Sequence, residues 1–230
     1  SALISPMLPD NMIEPSLLRS GAPFDLLTFP EAFAPASSLV TVLNALRRVP
    51  SFGCIHVGLR PDAEHESHLF SPTAIDALLN ELAPLTERAD EDLGGFRTWL
   101  SRQNAAHRFN LGCLFTKDSD GHLRICVHPK QVRSRFEHSA YLENHLAEAD
   151  LVTLVTLDPS DNRFLSVTVQ PLICSDALNL RTDDLRPNPL AVLGGADNPF
   201  TPSPDHVDIV SVATCTPQVR SARVGRRNSR

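Results

Sequence analysis

The feature that most constrains this chain is an Asp120-Gly121 pair set between two apolar runs, residues 110–115 and 123–127. Asp-Gly tolerates the positive φ of a tight hairpin turn, so the spacing predicts an antiparallel hairpin. An isolated two-stranded hairpin is marginal in water, so the rest of the chain must supply partners for it. Short apolar runs at 24–29, 52–59, 151–157, 164–169 and 207–212 read as further strands, and 2–5 as a weak first one. The runs at 151–157 and 164–169 flank Asp158-Pro159-Ser160-Asp161-Asn162, a second hairpin signal.

Helical spacing lies between these strands. Leu39, Val42, Leu43 and Leu46 share one face of a helix predicted over 37–48, capped by Ser37 or Ser38. Ile75, Leu78, Leu79 and Leu82 do the same over 72–88, where Pro72 suits the first turn. Phe96, Trp99 and Leu100 mark another helical stretch, and 142–149 reads as a fourth. Residues 60–71 and the Pro/Asp-rich stretch 181–206 read as loops, and 216–230 as an Arg-rich C-terminal tail. Strands and helices are intermixed, which predicts an α/β (α+β) protein whose sheet is covered by helices on at least one side. With 230 residues, no repeat and no clear linker, one domain spanning 1–230 is the expectation.

Composition removes several function classes. Net charge is −6 at pH 7, so no nucleic-acid partner is expected. No apolar run is long enough for a membrane span, and no basic segment followed by an apolar one opens the chain, so neither membrane nor signal peptide is expected. The five cysteines are odd in number and scattered, which argues against a disulfide framework and for a reducing, cytoplasmic setting. His65 and His68, with Glu64 and Glu66, form a loose cluster without standard ligand spacing, so no metal is expected.

Three runs carry chemistry. Phe29-Pro30-Glu31 ends the strand at 24–29 with a carboxylate. His128-Pro129-Lys130 places one of only two lysines just beyond the predicted hairpin, with Glu137 following. Ile173-Cys174-Ser175-Asp176 ends an apolar approach with a thiol at a sharp turn. An unperturbed thiol has a pKa of about 8.5, so attack at neutral pH needs activation, which a nearby ammonium and a proton-accepting carboxylate supply. The plain alternatives are a buried small hydrophobe for Cys174, a surface carboxylate for Glu31 and a solvated ammonium for Lys130. Cys54, Cys113, Cys126 and Cys215 sit inside strand patterns and read as buried hydrophobes.

In this order, the three runs resemble the nitrilase, or carbon–nitrogen hydrolase, superfamily. The resemblance implies an α-β-β-α sandwich and a covalent mechanism that needs no cofactor and no metal. It implies Cys174 as nucleophile, Glu31 as general base, Lys130 as stabiliser of the tetrahedral intermediate and Glu137 as a supporting carboxylate. The expected substrate is a small amide, nitrile or carbamoyl compound, cleaved through a thioester by an enzyme that self-associates as a homo-oligomer. Ser175 stands where many members carry an aromatic residue, the stretch from Glu31 to Lys130 is long, and the chain stops soon after 207–212. A divergent or truncated member is therefore expected. A catalytically inactive nitrilase-like binding or regulatory module is the alternative, and a Cys174–His128 hydrolase is a weaker one.

Overall fold

The computed structural model describes residues 26–50, 52–62, 69–134, 146–157, 167–178 and 207–214. Glu137, Cys215, the 64–68 cluster, the 2–5 strand, the 181–206 loop and the Arg-rich tail lie outside the described residues. The protein is mixed α/β, with two mixed sheets and helices.

The larger sheet contains β1 (Leu26–Thr28), β3 (Cys54–Arg60), β4 (Leu111–Lys117) and β5 (Leu123–Pro129) in that order. Strand β2 (Ala34–Pro35) adds a short parallel pairing to the far end of β3. β1 runs parallel to β3, and β4 runs antiparallel to both β3 and β5. The predicted hairpin is β4–β5, closed at Gly121 with φ of +81°. The smaller sheet is β6 (Val155–Leu157), β7 (Val167–Ile173) and β8 (Ile209–Ala213), with β6 antiparallel and β8 parallel to β7.

The period-two alternation of strand side chains divides the core. Ile55, Val57, Leu59, Leu111, Cys113, Phe115, Leu123, Ile125 and Val127 point to one face of the larger sheet. That face carries α1 (Ala36–Leu46), α2 (Pro72–Leu82) and α3 (Ala89–Leu100), whose predicted apolar stripes are all buried there. Cys54 and Leu114 occupy the other face and pack on Val169, Val155, Leu157 and Val167 of the smaller sheet. The described residues thus form three layers: helices, large sheet, small sheet. None of their helices is long and apolar enough to cross a membrane.

Several elements differ from expectation. The helix predicted over 72–88 ends at Leu82, passes through a 3-10 turn at Ala83–Leu85 and restarts as α3. Pro84 explains the break, because it has no amide hydrogen and its ring clashes with the preceding turn. α3 itself begins well before Phe96, with Asp90, Glu91 and Asp92 in its first turn beside the positive end of the helix dipole. Pro35, not Ser37 or Ser38, occupies the N-cap position of α1 and makes no capping bond; the Ser37 amide and hydroxyl donate to the Asp62 carboxylate instead. Residues 146–149, expected to be helical, are irregular, and Leu146 bridges to Arg108.

Candidate active site

Glu31 follows β1 in a tight turn that folds onto β3. Gly58 donates its amide to the Pro30 carbonyl at 3.1 Å, and Phe33 donates to the Gly58 carbonyl at 3.0 Å. This close approach requires glycine, since a Cβ at position 58 would collide with the Glu31 backbone and lie 2.6 Å from the Pro30 oxygen. Ala32 closes the turn with φ of +53°, a left-handed conformation that is strained for a residue with a Cβ.

Lys130 immediately follows β5. Its amide donates to the Asn110 carbonyl at 2.8 Å, and its Nζ lies 2.7 Å from Glu31 Oε1. The pair is almost withdrawn from water: the lysine side chain is 3% exposed and the glutamate 9%. The solvated readings of both residues are therefore corrected. Asn110 Nδ2 donates to the same Glu31 Oε1 at 2.5 Å. Asn110 entered the sequence reading only as the first residue of a strand.

Cys174 leaves β7 into a 3-10 turn, Cys174–Leu178, with φ of +45°. A left-handed non-glycine residue stores roughly 1–3 kcal/mol of strain, which persists only where its surroundings over-determine it. Asp176 supplies that determination. Its Oδ1 accepts the amides of Gln131 at 2.9 Å and Val132 at 2.7 Å, and its Oδ2 accepts the Ile173 amide at 3.0 Å. Ser175 Oγ donates to the Val132 carbonyl at 2.5 Å. The cysteine turn is thereby docked on the residues directly after Lys130. Glu31 and Lys130 touch, and Asp176 and Ser175 tie the Cys174 turn to the backbone of Gln131 and Val132, the two residues after Lys130. Burial pushes Asp176 up to about 7, against three backbone amides and the Lys130 charge that pull it down. Ser175 and Asp176 could be read from the motif, but their partners at 131 and 132 are long-range and left no local signal.

The other described cysteines are a different population. Burial pushes the thiols of Cys54 and Cys126 up to about 12, and raises Cys113 well above its ordinary value. Cys54 and Cys113 are buried in the sheet, as their strand patterns predict, whereas Cys126, expected to be buried, is half-buried at the rim of a cavity.

His128 is fully engaged between the sheets. Its Nε2 lies 3.0 Å from His56 Nε2, His56 Nδ1 lies 2.8 Å from Ser211 Oγ, and Ser211 Oγ lies 2.8 Å from Thr28 Oγ1. Gly112 makes room for the His128 ring, which a Cβ there would strike. Burial pushes His56 down to about 4; burial and the neighbouring His56 hold His128 well below its ordinary value. Two neutral rings sharing one hydrogen bond form a structural chain across the layers.

A cavity of about 420 Å³ opens at the opposite end of β4 and β5, lined by Asp92, Lys117, Arg124, Cys126 and Val155 among others. Its cations are engaged: Arg124 meets Asp92 at 2.6 Å, and Lys117 donates to the Arg47 carbonyl. Among the described residues, Asp118, Asp120 and His122 could share a metal ion, each with a ligand atom within 4.8 Å of the others. Asp118 Oδ1 already accepts the Asp120 and His122 amides, which is how an aspartate builds a turn.

Compared with known proteins, the chain matches no family model, no curated protein and no solved structure.

Proposed function

We propose that this protein is a cysteine-dependent hydrolase of a non-peptide carbon–nitrogen bond in a small amide, nitrile or carbamoyl compound. We extend the fold in the same way, to the α-β-β-α sandwich of the nitrilase superfamily. The observation that carries the reading is the water-poor Glu31–Lys130 pair, with the left-handed Cys174 turn docked on the residues that follow Lys130.

For an amide, Glu31 takes the thiol proton and the Cys174 thiolate attacks the carbonyl carbon, forming a carbon–sulfur bond. Lys130 stabilises the oxyanion of the tetrahedral intermediate. Protonated Glu31 then gives its proton to the leaving nitrogen, the carbon–nitrogen bond breaks, and ammonia or an amine departs. Water, deprotonated by Glu31, opens the thioester to a carboxylic acid and restores the thiol. The strained Cys174 backbone supports this reading, since such outliers cluster at reactive positions. Burial raises the thiol pKa of Cys54, Cys113 and Cys126, which supports Cys174 over them as the nucleophile.

The test is ammonia release from a panel of small primary amides, carbamoyl amines and nitriles. Turnover that disappears in Cys174→Ala and falls about 10²–10³-fold in Lys130→Met is expected, the scale of losing an oxyanion donor. Turnover unchanged in Cys174→Ala would reject the mechanism. Silence across the panel would favour the inactive binding module.

A further inference from the structure

We infer that Asn110 is a positioning residue for Glu31, fixing which carboxylate oxygen transfers protons; the inference rests on the hydrolase reading above. Asn110 is fully buried at the start of β4, level with the end of β5. Its carbonyl accepts the Lys130 amide at 2.8 Å, and its Nδ2 donates to Glu31 Oε1. One residue therefore holds the backbone of the lysine and the carboxylate of the glutamate.

Glu31 Oε1 receives both the Lys130 ammonium and the Asn110 amide. Two strong donors on one oxygen leave Oε2 as the more basic, proton-accepting atom and stop the carboxylate from rotating. The orientation of the Asn110 amide is not ambiguous, because a flip would set its oxygen against Oε1. Its Oδ1 is buried without a hydrogen-bond partner. A buried unpaired acceptor costs free energy, which the charge-assisted bond from Nδ2 to Glu31 offsets. Asparagine at this position is accounted for by its Nδ2, through Glu31, and not by packing.

The experiment measures the alkylation rate of Cys174 by iodoacetamide from pH 5 to 9, site-resolved by mass spectrometry, in wild type, Asn110→Leu and Asn110→Asp, with melting temperatures alongside. Asn110→Leu takes a donor from the buried Glu31 carboxylate and is expected to melt somewhat lower than wild type, while Cys174 reacts about tenfold or more slowly at pH 7. Asn110→Asp, nearly isosteric, sets a second carboxylate against Glu31 and is expected to move the pH profile by about one unit. It covers the case in which the leucine variant does not fold. Wild-type rate and profile in the folded variants would overturn the role of Asn110 and leave the hydrolase reading standing. A wild-type Cys174 no more reactive than the buried thiols would overturn both.

Discussion

The Lys130 ammonium sits against a carboxylate with almost no water around either group. Withdrawing both charges from water carries a desolvation penalty that their attraction only offsets, so the pair is weak evidence for stability and better evidence for a site. Removing one partner strands the other charge. Lys130→Met and Glu31→Leu are each expected to destabilise by about 3–5 kcal/mol, and the double variant by much less than the sum. Urea unfolding of the three variants checks this; additive losses would mean that the two side chains do not share one buried contact. Asp176 acts on the same site at one remove. Its replacement by Ala releases three backbone amides at the cysteine turn and is expected to slow Cys174 alkylation while leaving the Glu31–Lys130 contact in place.

At the level of elements, turns and strand ends place the site. The Glu31 turn tolerates a left-handed Ala32 because Gly58 lets it lie flat on β3. Ala32→Gly is expected to stabilise by about 1 kcal/mol by relieving the Cβ clash, and Gly58→Ala to destabilise and disorder the Glu31 turn. Thermal melts in both directions test the pair; a stabilising Gly58→Ala would contradict the packing described. The sequence exposed what local patterns encode. The β4–β5 hairpin, the stripes of α1 and α2, and Cys174 at a strand end follow from periods of two and 3.6 and from turn chemistry. The break at Pro84 is equally local, but the apolar stripe of Ile75, Leu78, Leu79 and Leu82 runs up to it without a change of period. What stayed hidden is long-range: Gly58 beneath Glu31, Asn110 beside it, Asp176 reaching 131 and 132, and His56 meeting His128 across two strands. None of these pairings leaves a spacing to read, since each depends on sheet register.

For the whole molecule, the polar chain from Thr28 through Ser211 and His56 to His128 spans the interface of the two sheets. Both rings are held neutral, with His56 down at about 4 against an ordinary 6.5. The unfolded chain therefore binds more protons than the folded one between those values. The histidine contribution to stability is full above pH 6.5 and falls as pH drops towards 4, by about 3 kcal/mol for His56 alone. Asp176, raised from 3.8 to about 7, works the other way, favouring the fold as pH drops through that window. Asp176→Asn should thus steepen the acid loss seen in urea titrations between pH 7 and 5, and an unchanged slope would contradict the linkage. The central claim is that the Glu31–Lys130 pair activates Cys174. Its most direct measurement is the site-resolved alkylation rate of every cysteine at pH 6.5 in wild type, Glu31→Gln and Lys130→Met. Cys174 is expected to be labelled far faster than Cys54, Cys113 and Cys126 and to lose that advantage in both variants; equal labelling, or an advantage indifferent to both substitutions, would show that the pair does not activate the thiol.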